Sequence, residues 1–92
     1  MQFLEGESRF YVPNPDGGED IAEMTYTRIG NDKASIDHTY VNINYRGQGI
    51  ADRLFELVIE KMQQEKRKII PVCSYAVAKF ERRAELQALK AE

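Results

Sequence analysis

The chain has few of the residues that build disulfides and metal sites, since its 92 residues include one cysteine and one histidine. A single cysteine excludes an intramolecular disulfide, so nothing points to a secreted protein. One cysteine and one histidine cannot complete a tetrahedral zinc site. We therefore predict no metal ligands.

Long apolar runs and an excess of one charge are also missing. No run approaches the length of a membrane span, and the first residues lack the apolar segment of a signal peptide. A net charge of −2 gives no electrostatic reason to expect nucleic acid or a membrane as partner. The length and the 42% hydrophobic content fit one domain over residues 1–92. We expect it to be cytoplasmic, and a monomer or weak homodimer.

Alternation of apolar and polar residues predicts strands in the first half of the chain. Ser8–Val12 is a short β-rich run that ends at the turn-forming segment Pro13–Gly18. Ile21–Ile29 reads as a strand with one buried face, and Gly30–Asp32 predicts a hairpin turn. The next strand is predicted over Ala34–Ile43.

Helical spacing dominates the second half. Ile50–Glu65 predicts an amphipathic helix, and Lys68–Cys73 a short strand whose proline favours a sheet edge or a bulge. Ser74 is a candidate cap for a last helix over Tyr75–Lys90, with an inner face of Val77, Phe80 and Ala84. The order β-β-β-α-β-α predicts an α+β fold with a three-layer tendency and a mixed, mostly antiparallel sheet. A right-handed crossover makes its fourth strand parallel to the third.

The segment Tyr45–Ala51 joins a predicted strand to a predicted helix through two glycines. Such a turn leaves backbone N–H groups unpaired at the positive end of the helix dipole, which is a site for phosphate. A dinucleotide fingerprint is excluded because Asp52 stands where its third glycine belongs, and no Gly-Lys-Ser/Thr sequence completes a P-loop. The alternative is an ordinary turn that uses glycine for its backbone freedom.

The remaining pattern, Arg46-x-x-Gly49-x-Ala51, resembles the Arg/Gln-x-x-Gly-x-Gly/Ala motif of the GNAT superfamily of N-acetyltransferases. Several blocks together resemble one small subfamily, the YjdJ-like N-acetyltransferases. These blocks are Arg9-Phe10, His38–Val41, Arg46–Ala51 and Ile70–Tyr75. The resemblance implies a minimal GNAT acyl-CoA N-acyltransferase fold, whose usual first strand is either within Gln2–Phe10 or missing. It also implies transfer of an acetyl group from acetyl-coenzyme A (acetyl-CoA) to an amine of a small molecule or a protein.

The same resemblance implies which residues hold the cofactor. In GNAT enzymes the strand before the glycine loop and the next strand splay apart, and the pantetheine arm lies between them. The main chain of Val41 would therefore contact the arm, and the loop amides would bind the pyrophosphate. These loop positions are Arg46, Gly47, Gln48, Gly49, Ile50 and Ala51. Arg46 would add a charge-assisted hydrogen bond.

For the catalytic residues, the match to the family is incomplete. Many GNAT enzymes use a tyrosine of the last helix as general acid, and the best matching position here is Phe80, which has no proton to give. In the YjdJ-like subfamily the cysteine matching Cys73 has been proposed as the active-site residue, so Cys73 is a candidate nucleophile or proton donor. The alternative is a small buried apolar residue. Tyr75 is a further candidate donor, although packing is favoured.

His38 is the candidate base, because its unperturbed pKa lies near neutrality and it could take the proton of the acceptor amine. On a strand face shared with Ile36 and Tyr40, a packed and hydrogen-bonded histidine is the alternative. GNAT enzymes commonly build the acceptor pocket from helices that this chain lacks, so we expect an open acceptor site. Two other functions are possible: a non-catalytic acyl-CoA-binding module, and an interaction domain without a coenzyme.

Overall fold

In the described part of the chain, five strands form one mixed sheet whose spatial order follows the chain, and this confirms the predicted α+β class. The computed structural model describes residues 1–91. Its strands are β1 Leu4–Glu5, β2 Arg9–Val12, β3 Ala22–Ile29, β4 Lys33–Val41 and β5 Lys68–Pro71. Its helices are α1 Ile50–Gln64 and α2 Ser74–Arg82, with 3-10 helices at Ile43–Tyr45 and Ala84–Leu89. The pairs β1–β2, β2–β3 and β3–β4 are antiparallel, and β5 is parallel to β4.

The predicted strands and the first helix are confirmed to within two residues at each end. The first strand that the resemblance left open is present as the two-residue β1, which pairs with β2. Proline ends the edge strand β5, where it removes no ladder hydrogen bond from a central strand. Among the described residues, no helix is long and apolar enough to cross a membrane.

The core lies between one face of the sheet and the two helices. Alternate residues of β2 and β3 are buried there, as are the residues of α1 at three- and four-residue spacing. The Phe55 ring of α1 meets the rings of Tyr75 and Phe80 of α2 edge-on, each at a centroid distance of 6.1 Å. The helices therefore lie side by side on one face, and the described residues form two layers where the sequence predicted a tendency to three.

A β-bulge in β4 changes which of its residues face the helices. Tyr26 of β3 pairs with Ile36, but the preceding Thr25 pairs with His38, so Asp37 is an extra residue in β4. Asp37 accepts hydrogen bonds from the hydroxyls of Thr27 and Ser35 on the face away from the helices.

Beyond the bulge the alternation continues with a shifted phase. Thr39 is opposite the buried Met24, whereas His38 and Tyr40 lie on the face away from the helices. The prediction that Ile36, His38 and Tyr40 share a face is therefore wrong, because strict alternation contains no sign of an inserted residue.

The last helix is shorter than predicted, because α2 ends at Arg82 and Arg83 has an extended backbone. On a helix running to Lys90, Leu86 would not lie on the face of Ala76 and Phe80. The break instead allows Leu86 to be buried, at 3% exposure. The prediction of an inner face is right for Phe80 but wrong for the exposed Val77 and Ala84. Cys73, and not Ser74, is the N-cap residue.

Phe80→Ala should lower the free energy of unfolding by about 3–5 kcal/mol, since the ring is almost fully buried against Phe55. Val77→Ala on the same helix should change it by less than about 0.5 kcal/mol, because Val77 is exposed. Urea unfolding followed by circular dichroism measures both. Equal losses in the two variants would contradict the orientation of α2.

Candidate functional site

Strands β4 and β5 separate before β4 ends, and this opens a cleft in the sheet. Their parallel pairing runs from Lys33 and Lys68 to Ile36 and Pro71. Beyond it, the backbone N–H groups of Val72 and Cys73 both donate to the Ile36 carbonyl, at 3.0 and 3.1 Å, and the chain turns into α2. Strand β4 continues to Val41, so its last part has no pairing with β5.

A cavity of about 380 Å³ occupies this opening. It is lined by Thr39, Val41, Tyr45, Arg46, Gly47, Gly49, Ile50, Ala51, Asp52 and Tyr75. We call it the loop cleft. All the predicted cofactor-binding residues except Gln48 line it. It joins the free edge of β4 to the N-terminus of α1, as splayed strands and a glycine loop require.

The glycine loop has the backbone conformation that its sequence requires. Asn42 ends β4 and caps the 3-10 helix through a 2.9 Å hydrogen bond from the Asn44 N–H, so the strand stops short of the predicted Ile43. Gly47 and Gly49 have φ angles of +81° and +79°, which side chains disfavour. A Cβ atom at either glycine would meet no protein atom within 4 Å. The space beside both glycines is therefore open to a ligand.

Gly49 is the N-cap of α1, and no capping side chain accepts a hydrogen bond from the first N–H groups of the helix. The first N–H groups of a helix have no partners within the helix, and they carry the positive end of its dipole. Ile50 and Ala51, the first two residues of α1, line the loop cleft. This end of the cleft favours an anion.

Arg46 closes one side of the loop cleft. Its Nε donates a 3.1 Å hydrogen bond to the Val41 carbonyl, the group expected to contact the pantetheine arm. The guanidinium is exposed and retains its other N–H donors. The predicted anion-binding side chain and the predicted arm-binding carbonyl are thus brought into contact.

Cys73 is half-buried at the start of α2 and has a free thiol. Its Sγ lies 3.3 Å from the hydroxyl oxygen of Thr39, which lines the loop cleft. The structure does not bring His38 to this thiol, because His38 and Thr39 face opposite sides of β4. His38 is exposed, so the packed alternative for it does not describe this structure. No group of three or more metal-binding side chains occurs within residues 1–91.

A cluster of three side chains that the sequence did not predict joins the two helices at the loop cleft. The Tyr75 hydroxyl donates to Asp52 Oδ1, and Lys79 Nζ lies 2.6 Å from the same oxygen. The ammonium is also 5.5 Å from the centroid of the Tyr75 ring. We call these residues the Asp52 cluster.

The Asp52 cluster shifts two pKa values in opposite directions. Hydrogen bonds from Lys79 and then Tyr75 lower the pKa of Asp52, so it is ionised at neutral pH. Burial, and then the hydrogen bond to Asp52, raise the pKa of Tyr75. Tyr75 therefore stays a neutral phenol over the physiological range.

Four residues that line the loop cleft are not among the predicted cofactor-binding residues. Tyr45 and Asp52 flank the predicted loop directly, and Thr39 lies two residues before Val41 on the same strand face. Extending the loop by one residue at each end, and the strand contact at Val41 by the two-residue period of a strand, would include these three. For Tyr75 the sequence predicts only a proton donor or a packing residue, because its partner Asp52 is distant in sequence.

Comparisons with known proteins agree on one family. A family model described as GCN5-related N-acetyl-transferase matches residues 9–89. The NMR solution structure of a GCN5-like protein from Staphylococcus aureus has 31% identity and a TM-score of 0.78, and the match covers 98% of this chain and 87% of that one.

A more distant structure supports the fold alone. Ribosomal-protein-alanine N-acetyltransferase from Brucella melitensis biovar Abortus 2308 has 18% identity and a TM-score of 0.61. The alignment covers 91% of this chain and 63% of that one. The search of curated proteins gave no match.

Asp52→Asn should lower the pKa of Tyr75 part of the way to its ordinary value of 10.0, since burial remains but the carboxylate is lost. In the wild type, the raised pKa contributes stability that is fully present below pH 10.0. That contribution is lost as the pH rises through the folded-state value. Tyrosine 13Cζ NMR shifts against pH measure the change, with Asp37→Asn as a distant control. The same Tyr75 titration in both variants and the wild type would contradict the contact.

Proposed function

The chain belongs to the GCN5-related N-acetyltransferase family, and from this premise we propose that it transfers an acetyl group from acetyl-CoA to an amine. The observation that carries the proposal is the loop cleft, which combines a free strand edge with an anion-favouring helix N-terminus. A long ligand with a neutral amide arm and a pyrophosphate matches both ends. We further propose that the chain is a member of the YjdJ-like subfamily, on the blocks that carry Cys73 and the glycine loop.

In this proposal the pyrophosphate binds at the N-terminus of α1, where Gly47 and Gly49 allow phosphate oxygens to approach the backbone. The pantetheine arm then extends along the unpaired part of β4 and bonds to the main chain of Val41. Arg46 turns from the Val41 carbonyl towards the phosphates when the arm arrives. Gln48 belongs to the loop but does not line the cleft, so it contributes at most its backbone amide.

The acetyl thioester would then lie near the Thr39 hydroxyl and Cys73. In direct transfer, the amine nitrogen attacks the carbonyl carbon, the C–S bond breaks, and the coenzyme thiolate takes up a proton. In the two-step route, the Cys73 thiolate attacks first and releases coenzyme A. The amine then attacks the acetyl-cysteine, and the Cys73 sulfur leaves.

His38 acts in this proposal on the acceptor amine and not on the thiol, because it lies on the face of β4 away from Thr39. Two layers leave that face uncovered by any helix in residues 1–91. An exposed imidazole there can accept the amine proton from an acceptor that approaches from solvent. An open approach of this kind suits an amine of a protein or peptide.

The second candidate function is acyl-CoA binding without catalysis, and the packing of Phe80 favours it. At 2% exposure, this side chain belongs to the core, where it meets Phe55 edge-on. The position that best matches the general-acid tyrosine of many relatives is therefore both apolar and closed to ligands. Transfer above the background rate distinguishes the enzyme from the binding module.

Titration with acetyl-CoA tests the donor site. In wild-type protein, backbone amide NMR shifts should centre on Val41, the Arg46–Ala51 loop and Cys73. Gly49→Asn should weaken binding by more than about tenfold, because asparagine tolerates a positive φ but fills the space that the phosphates need.

Gly17→Asn is the matched control for this substitution. Gly17 has a φ of +86° and open space beside it, but it lies outside the loop cleft. The affinity of Gly17→Asn for acetyl-CoA should stay within about twofold of the wild-type affinity. Equal binding by a folded Gly49→Asn would remove the loop from the donor site, and no shifts in the wild type at millimolar acetyl-CoA would end the enzyme proposal.

Cys73→Ala should lower acetyl transfer by about 100-fold or more if the thiol is the nucleophile. Its affinity for acetyl-CoA should change little, because Cys73 does not line the loop cleft. The acceptor-independent readout is the mass of intact protein after incubation with acetyl-CoA, which gains one acetyl group only when Cys73 is present. Unchanged turnover in the folded variant would leave direct transfer as the mechanism.

A further inference from the structure

Asp52 is a carboxylate at the end of the loop cleft that is proposed to bind phosphates. It lies in the first turn of α1 and is 61% exposed. An acidic residue there interacts favourably with the positive end of the helix dipole, but it repels a second anion that binds at the same N–H groups. An uncompensated Asp52 therefore weakens the binding of pyrophosphate at this end.

Lys79 provides this compensation from the neighbouring helix. Its side chain is 17% exposed, and its Nζ contacts Asp52 Oδ1 at 2.6 Å. One helical turn earlier on the same face of α2, Tyr75 donates its hydroxyl to that oxygen. Most of the Lys79 side chain is buried between the helices, and this holds its ammonium at the Asp52 carboxylate.

We propose that Lys79 is a positioning residue for donor binding: it neutralises Asp52 and holds Tyr75 against the N-terminus of α1. The inference rests on the proposed function, because it concerns the phosphates of the acyl donor. Lys79 itself does not line the loop cleft. It acts through Asp52 and Tyr75, both of which do.

A second ion pair of the same kind provides the comparison. Arg83 follows Lys79 by four residues, and Glu56 follows Asp52 by four. Arg83 Nη1 contacts Glu56 Oε1, so this pair also joins α1 to the end of α2. Neither residue lines the loop cleft. The two pairs resemble each other in holding the helices together but differ in their distance from the proposed phosphate site.

The test compares Lys79→Met, Asp52→Asn, the double variant and Arg83→Met by calorimetric titration. The ligands are coenzyme A and pantetheine, which lacks the phosphates. Methionine keeps the apolar stem of lysine, and asparagine keeps an oxygen that accepts the Tyr75 hydroxyl. Thermal unfolding of each variant establishes that it is folded before its affinity is measured.

Lys79→Met should weaken binding of coenzyme A by about fivefold, because Asp52 is then uncompensated beside the phosphates. Its affinity for pantetheine should stay within about twofold of wild type. Adding Asp52→Asn should restore coenzyme A binding. Arg83→Met should leave both affinities within about twofold, although it also breaks an interhelical ion pair.

Three results would overturn the inference. The first is a Lys79→Met protein whose affinity for coenzyme A equals that of the wild type, given that the wild type binds coenzyme A. The second is an equal loss in Lys79→Met and Arg83→Met, which would mean that helix packing alone is at work. The third is an Asp52→Asn protein that binds coenzyme A more weakly than the wild type does. This result can be obtained even if Lys79→Met does not fold. A wild type that binds neither ligand would instead overturn the proposed function, and the inference with it.

Discussion

The Ile36 carbonyl is the point on which the arrangement of the cleft depends. It accepts hydrogen bonds from two successive N–H groups, those of Val72 and Cys73, and so ends the parallel ladder between β4 and β5. Three consequences follow from this one acceptor. The last part of β4 keeps a free edge, the chain turns into α2 beside α1, and the thiol of Cys73 comes to rest next to Thr39.

The bulge at Asp37 then selects which side chains meet that free edge. One inserted residue moves every later side chain of β4 to the opposite face. It therefore places Thr39 and Val41 on the side of the helices and sends His38 and Tyr40 to the uncovered side. The separation of the proposed donor site from the proposed acceptor base has its origin in this single insertion, and not in the identity of any catalytic residue.

Much of the loop cleft could be predicted because its signals are local. A glycine turn between a strand and an amphipathic helix is contained in consecutive residues, and α1 begins at the predicted Ile50. The bulge could not be predicted, because Asp37 fits either phase of an alternating strand. The break after α2 depends on the burial of Leu86, a tertiary effect. The Asp52 cluster joins residues far apart in sequence, whose contact exists only once the two helices pack.

The hydrogen bond from Arg46 to the Val41 carbonyl places an arginine donor on the strand group that is proposed to contact the ligand. Through Nε, part of the arginine's hydrogen-bonding capacity is directed to a neutral group. A ligand N–H that replaced Nε at this carbonyl would leave all the N–H donors of Arg46 available to an anionic group of the same ligand. The neutral and the anionic halves of a ligand are thereby linked, so that two fragments binding separately would gain less free energy than the intact molecule.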